Sequence, residues 1–336
     1  MRFRKVPVED VDWTALDRYA DRTYSQRLPW LNYLRSIGAG SPIIAVLEDD
    51  HGRELGCFTG MANRKFGFSA IGAPLPGWNT AYLGLNLAPG VSRADALRAL
   101  THFAFRQEKC LYLEMSDPAA DAATALGAGF QIAESENYVS DLTQPEEALF
   151  NLMNSATRRC IRKAEREGVT VEVAAPEGFA ADYYSQLCKV FARQGLIPTY
   201  PRERVEKLIE HVHPSGMLLL LRARAPDGRS IGTAIYPGFG QHSIFWGNGS
   251  VTEMHHLRPN QALHWYAMRH WKAQGVTRYD WGGTAPYKKN YGPQTVTCIR
   301  QFKSALPVLD KMRAPALRSY KAIRKWRSRQ LAEQEA

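Results

Sequence analysis

Residues 253–292 read EMHHLRPNQALHWYAMRHWKAQGVTRYDWGGTAPYKKNYG, and this stretch sets the fold class. Pro259 suits the first turn of a helix, where a missing N–H costs nothing. The pattern predicts a helix from about Arg258 to Gln274. Leu263, Trp265, Tyr266, Met268 and Trp271 leave it almost no polar face, so other elements must cover most of its sides. Gly275 is the residue expected just past a helix end. Thr277 to Trp281 then reads as a short strand. Gly282-Gly283 and Tyr287-Lys288-Lys289-Asn290-Tyr291-Gly292 follow as a polar, cationic loop. Loops after strands in α/β folds are where chemistry usually sits.

Working outward, Gly216 to Ala223 and Ser230 to Tyr236 form strands around the turn Pro226-Asp227-Gly228, and His242 to Trp246 continues the sheet. Phe179 to Gln194 and Arg202 to His211 are helices. A long helix opens at Pro145, with Glu146 and Glu147 in its first turn, and ends at Gly168, before a strand over Val169 to Val173. The N-terminal half has the same plan. Ile43 to Leu47 and Glu54 to Thr59 flank the turn Asp49-Asp50-His51-Gly52, then a helix (Arg93 to Glu108) and a strand (Cys110 to Met115) follow. Phe130 to Leu142 is a long strand, and Thr295 to Phe302 is the last one. A duplicated unit explains this economically, although D-G hairpins also recur by chance. The expected class is α/β (α+β): two similar domains, 1–143 and 144–306, each a mixed, mostly antiparallel sheet flanked by helices. A basic helical tail, 307–336, completes the chain.

The 336 residues are 45% hydrophobic and 23% charged, as befits a globular chain of about two domains. The net charge of +10 is concentrated. Lys311, Arg313, Arg318, Lys321, Arg324, Lys325, Arg327 and Arg329 lie between Asp310 and Glu333 with no acid among them. Arg158, Arg159, Arg162, Lys163 and Arg166 form a second cluster, partly offset by Glu165 and Glu167. Such runs suit RNA, anionic lipid headgroups or a phosphorylated substrate, and equally a solvated helix face. Five widely spaced cysteines without C-x-x-C argue against a disulfide framework and fit a reducing cytoplasm. His211, His213, His255, His256, His264 and His270 lack zinc-site spacing, so no metal is expected, and those just upstream of the cationic loop read as bystanders. The N-terminus has no apolar signal-peptide core, and the longest apolar run, Met217 to Leu221, cannot span a bilayer. No G-x-S-x-G or Walker loop is present.

Three features in order resemble one family. Thr157 to Val171, TRRCIRKAEREGVTV, is a basic helix running into E-x-G-V and a strand. Arg258-Pro259-Asn260 opens a helix that is followed by Tyr279-Asp280-Trp281-Gly282. Tyr287-Lys288-x-x-Tyr291-Gly292 is similar to F-K-x-x-[F/W]-G. Over roughly residues 25–305 the chain resembles the FemAB-like aminoacyl and peptidyl transferases, two GNAT (acyltransferase-fold) units in tandem. Acetyl-CoA-binding GNAT proteins carry [Q/R]-x-x-G-x-[G/A] at the helix start, where N–H groups cradle pyrophosphate. Counted from Arg258, this chain has Gln261 and Leu263 in place of those glycines. The resemblance therefore implies aminoacyl-tRNA as donor ahead of acyl-CoA, and no bound cofactor. It implies transfer to the amine of a phosphorylated or nucleotide-linked cell-envelope precursor of peptidoglycan type. Alternatives are a CoA-dependent N-acyltransferase acting on a surface-polysaccharide amino sugar, and a non-catalytic RNA- or membrane-binding module. The expected setting is cytoplasmic, with the basic tail holding tRNA or an anionic inner membrane face.

Acyl transfer needs alignment, oxyanion stabilisation and a route for the amine proton. Lys288 matches the family lysine and is the expected cation; the pair Phe302-Lys303 is the second choice. Asp280, ending a strand, is expected to bind substrate, accept a proton or cap its turn. Arg258 and Asn260 stand at a helix N-terminus suited to anions, where Asn260 could equally be a cap. Tyr287, Tyr291 and Gly283 line the loop, while Tyr236 and Trp246 line a pocket or fill the core.

Overall fold

The computed structural model describes residues 1–65, 67–306 and the isolated positions Val308, Leu309, Pro315, Arg318, Ser319 and Ala322. The expected tail over 307–336 lies, apart from those positions, outside the described residues. The chain divides into two compact units. One comprises Met1–Glu136 and, from Thr297, the last strand; the other comprises Asn137–Val296.

In the first unit the order is β1 (Arg2–Val6), α1 (Trp13–Leu16), α2 (Leu28–Ser36), β2 (Ser41–Glu48), β3 (Glu54–Lys65), β4 (Phe68–Ala73), β5 (Gly84–Leu87), α3 (Arg93–His102), β6 (Tyr112–Met115) and α4 (Ala122–Gly127). β7 (Gln131–Asp141) leads into the second unit. There follow α5 (Glu146–Leu152), α6 (Ser155–Arg166), β8 (Thr170–Val173), α7 (Phe179–Ala192), α8 (Arg202–Val212), β9 (Leu218–Arg224), β10 (Ser230–Phe239), β11 (His242–Ile244), β12 (Gly247–Ser250), α9 (Pro259–Ala273) and β13 (Arg278–Asp280). β14 (Gln294–Ser304) returns to the first unit.

The two sheets repeat one scheme. In the first unit β1-β2-β3-β4 are antiparallel neighbours, β5 pairs β3, β4 and β6 are parallel, and β14 closes antiparallel on β6. In the second, β8-β9-β10 are antiparallel, β10 pairs both β11 and β12, β11 and β13 are parallel, and β7 closes antiparallel on β13. The expected mixed, mostly antiparallel architecture is what forms. Each unit takes its closing strand from the other half of the sequence: residues 139–141 pair with 278–280, and 301–304 pair with 112–115.

Alternation along β10 places the helices of the second unit. Successive strand residues face opposite sides. Tyr236 points to α9, where its hydroxyl meets His264, and Thr233 points to α7, where its hydroxyl donates to Gln186 Oε1. Gly238 also faces α9; a Cβ there would lie 2.8 Å from the Trp271 ring. The missing side chain is what lets the tryptophan lie flat on the sheet. α9 starts at Pro259 and stops before Gly275 as its sequence predicts. Its buried stripe is Leu263, His264, Ala267, Met268 and Trp271, with Trp265 packed on Phe150 of α5. Arg269, Ala273 and Gln274 are exposed, so the helix is less enclosed than its composition suggests.

Two expectations about elements need correction. The single helix from Pro145 to Gly168 is two, because Asn154 stops propagation: its side chain accepts from the Thr157 N–H and caps α6. The strand expected over His242 to Trp246 bends. Gly238 pairs with Ser243, yet Ile235 pairs with Gly247, so one extra residue is inserted about Phe245-Trp246. Such a bulge re-aims the strand beyond it.

Candidate functional site

The bulge opens the parallel pair. β11 and β13 end in register at Ile244 and Asp280. Beyond that point Phe245 and Trp246 leave on one side and Trp281-Gly282-Gly283 on the other. The carboxyl end of a parallel pair, where neighbouring strands diverge, is the general place for a ligand in an open α/β sheet.

Lys288 lies here. It belongs to a 3-10 turn, Pro286–Tyr291, and is buried. Its Nζ donates to the Trp281 carbonyl at 2.5 Å and the Gly282 carbonyl at 3.1 Å. The same nitrogen sits 5.2 Å from the Phe245 ring centre and 5.9 Å from that of Tyr287. An ammonium has three donors, so one remains beyond these two carbonyls. Burial pushes its pKa down to about 8, and the Asp280 carboxylate opposes that fall.

Asp280 shapes the turn that Lys288 grips. Its Oδ1 accepts from the Gly282 N–H at 2.6 Å and from Asn137 Nδ2 at 2.8 Å, while Asn137 Oδ1 accepts from the Gly283 N–H at 2.6 Å. Asn137, on β7, gave no sequence signal: its partners lie more than 140 residues away. The turn-capping alternative for Asp280 is the arrangement observed.

Aromatic rings enclose the lysine. Tyr291 packs on Trp281 at 4.6 Å, and His264 touches Phe245 at 4.7 Å, Trp281 at 5.2 Å and Tyr291 at 5.3 Å. Tyr236 is fully buried and its hydroxyl is 3.0 Å from His264 Nδ1. Burial pushes Tyr287 up to about 12 and raises Tyr236, Tyr279 and Tyr291 further, so all four phenols stay protonated. His264, a bystander by its sequence spacing, sits in the middle of this shell. Its position on the buried stripe of α9 was the available signal.

The remaining sequence candidates fall into other settings. Arg258 precedes α9 in a left-handed conformation (φ 63°), and its Nε is buried with no hydrogen-bond partner. Asn260 does not cap the helix: its Oδ1 accepts from Asn248 and its Nδ2 donates to Ser250. Trp246 packs with Tyr200 at 5.2 Å and Tyr183 at 6.4 Å. Lys303 belongs to the first unit, where it donates to the Ala128 carbonyl and lies over Phe130. Among the described residues no group of histidine, cysteine, aspartate and glutamate could hold a metal ion. No helix among them is long and apolar enough to cross a membrane.

The loop is anchored from α6. The Asn154 N–H donates to the Asn290 carbonyl at 2.9 Å, and the two side-chain amides pair at 3.0 Å. Gly292 follows with φ 69°, and a Cβ there would lie 2.3 Å from the Leu152 carbonyl oxygen. Neither the dihedral nor the space admits a side chain. Gly292→Ala is expected to cost ~1–3 kcal/mol and to displace Lys288. A fall in the thermal midpoint together with a fall in ligand affinity would show both effects; an unchanged midpoint would refute the packing argument.

Residues 153–289 match the family described as the acetyltransferase (GNAT) domain. The fold is similar to that of FemX, at 15% identity, with 88% of this chain and 96% of that chain covered and a TM-score of 0.72. It is also similar to the C-terminal domain of a protein assigned as a lysylphosphatidylglycerol synthetase from Agrobacterium fabrum (14% identity, 90% and 96% covered, TM-score 0.53). L-PGS from Bacillus licheniformis aligns likewise (13% identity, 89% and 94% covered, TM-score 0.52). At these identities the likeness is one of fold. No curated protein sequence matches the chain. The chain thus has a FemAB-like GNAT fold, and the stretch that matches the GNAT domain, 153–289, contains Lys288.

Proposed function

We propose that this protein is an acyltransferase that moves an aminoacyl group from aminoacyl-tRNA to the amine of a phosphorylated or nucleotide-linked cell-envelope precursor of peptidoglycan type. The observation that carries the reading is Lys288: a buried ammonium held by two carbonyls at the open end of the parallel pair, with one donor left. An ester carbonyl placed there is polarised. The acceptor nitrogen attacks the carbonyl carbon, the C–N bond forms, and the π electrons move to an oxygen stabilised by the ammonium. Collapse breaks the ester C–O bond; the amine proton ends on the departing hydroxyl oxygen.

The start of α9 supports tRNA over CoA. A pyrophosphate cradle needs several free N–H groups and close backbone approach. Here Pro259 has no N–H, Leu263 is buried against the sheet, and the Asn260 side chain is tied to Asn248 and Ser250. The name of one structural neighbour, a lysylphosphatidylglycerol synthetase, fits an aminoacyl donor. A second reading, a CoA-dependent N-acyltransferase acting on an amino sugar, is favoured by the acetyltransferase family match and by the unsatisfied Arg258 Nε near the helix start.

The test is a transfer assay with UDP-linked muropeptides and either charged tRNA or acetyl-CoA, read by mass. A mass gain of one amino-acid residue with tRNA supports the first reading; acetylation supports the second. Absence of transfer with every donor, unchanged in Lys288→Ala, would favour a non-catalytic binding module. Polyanion binding through the basic stretches, including contact with an anionic inner membrane face, predicts a steep loss of RNA or vesicle affinity with salt. For RNA the loss is ~10³-fold or more between 50 and 200 mM if six or more phosphates are neutralised. Affinity that ignores salt would refute it.

A further inference from the structure

His264 is a neutral histidine buried beside a buried lysine, and one of its ring nitrogens has no partner. Nδ1 is 3.0 Å from the Tyr236 hydroxyl. Nε2 is buried and makes no hydrogen bond in the structure. A buried polar atom left unpaired costs ~1–3 kcal/mol. Burial, and secondarily the charge of Lys288, pushes the imidazole pKa down to about 3, so the ring carries one proton throughout the physiological range.

The place of that proton follows from the partner. Tyr236 is fully buried and the phenol is a stronger acid than a neutral imidazole N–H, so the O–H donates to Nδ1. The imidazole proton then resides on Nε2, the unpartnered nitrogen. His264 and Lys288 also share two walls. The Phe245 ring centre is 4.7 Å from the imidazole centre and 5.2 Å from Lys288 Nζ; the Tyr287 ring centre is 6.3 Å from the one and 5.9 Å from the other. Of the rings around the histidine, Phe245, Tyr236, Trp281 and Tyr291 are buried, whereas Tyr287 is 44% exposed and stacks on the imidazole face. Solvent and ligand therefore approach this pair from the Tyr287 side.

We propose that His264 is a second hydrogen-bond donor of the site, its Nε2–H meeting the acyl carbonyl oxygen together with the third donor of Lys288. The inference rests on the acyl-transfer reading and names a residue that the reading itself does not require. The paired donors suit an oxygen that gains charge as the amine nitrogen bonds to the carbonyl carbon. His264 neither gives up nor takes a proton in this step; the amine proton leaves with the departing hydroxyl or thiol as before.

The experiment is a two-bond ¹H–¹⁵N correlation spectrum of ¹⁵N-histidine-labelled full chain, alone and with two probes: a 3′-aminoacylamino-3′-deoxyadenosine and acetyl-CoA. The expected spectrum has His264 protonated at Nε2 and bare at Nδ1, and the Nε2–H resonance moves when either probe binds. A proton on Nδ1 overturns the proposal whatever the activity. So does a bound probe, detected by thermal shift, that leaves Nε2–H unmoved. If neither probe binds, the donor reading falls and this contact with it. Kinetics separate the two ideas. His264→Phe should keep the fold and KM but lose ~10²–10³ in kcat, and His264→Gln, which retains an N–H, should recover most of it. Loss of transfer in Lys288→Met with full activity in His264→Phe would leave the acyl-transfer reading standing and overturn this one.

Discussion

Lys288→Met should lower kcat for acyl transfer by about 10³-fold, ~4 kcal/mol of transition-state stabilisation, while KM changes by less than about threefold. The folded state should barely notice. The drop of the lysine pKa from 10.5 to about 8 corresponds to about 3 kcal/mol that burying the charge costs. Methionine removes that cost but leaves the Trp281 and Gly282 carbonyls without their donor, and the two effects oppose each other. The pH dependence has a definite sign. The folded pKa lies below the unfolded one, so between pH 8 and 10.5 the unfolded chain binds more protons and this group's contribution to stability rises with pH. Below pH 8 both states are protonated and the full cost is present. Activity runs the other way: the ammonium is the active form, so the rate should fall about tenfold per pH unit above about 8. Lys288→Arg, which stays charged, should lose that alkaline limb even if its bulk lowers the rate. An alkaline limb that persists unchanged in the arginine variant would assign it to another group.

The sequence of this chain shows its repeated unit because the signals are local. The hairpins at Asp49-Asp50-His51-Gly52 and Pro226-Asp227-Gly228 depend on turn chemistry a few residues long, and α9 is written by Pro259, an apolar stripe and Gly275. Lys288 was legible for a similar reason, within a short motif that also contains Tyr287, Tyr291 and Gly292. What was hidden is set by distant partners. Asn137 becomes significant only when β7 lies beside β13. The break at Asn154 depends on a cap that competes with helix propagation, and a pattern of apolar spacing continues straight through it. The bulge at Phe245-Trp246 inserts one residue between two pairings that no single stretch encodes. β1 went unseen because RFRKV is mostly charged; only Phe3 is buried, and an edge strand needs no more. His264 is visible as part of the α9 stripe, but its partner is not: Tyr236 lies on a strand 28 residues earlier.

A chain of residues 144–296 should fail to fold, whereas 130–296 should unfold cooperatively. A boundary at 143/144 looks natural in the sequence, since Thr143 and Pro145 mark a helix start. It also removes the strand that closes the sheet of the second unit. Residues 139–141 pair with β13, the Trp281 N–H donates to the Tyr138 carbonyl, and Trp281 Nε1 donates to Ser140 Oγ at 3.0 Å. Val139 and Leu142 are buried, and their burial is worth ~3–5 kcal/mol together. The buried hydrogen bonds of Asp280 and Trp281 that would lose a partner add ~2–4 kcal/mol. The sum is of the order of a whole domain's stability, ~5–15 kcal/mol. Asn137→Ala isolates one part of this. It leaves the strand in place but withdraws the amide that joins Asp280 to Gly283. The chain should remain folded, ~1–3 kcal/mol less stable, and lose more activity than that deficit explains, because the carbonyls that hold Lys288 belong to the same turn. Circular dichroism and urea titration of the two truncations decide the first claim: a two-state transition in 144–296 equal to that of 130–296 would show that the closing strand is dispensable. Activity of Asn137→Ala at a temperature where it is fully folded decides the second, and wild-type kcat there would separate the turn from the chemistry.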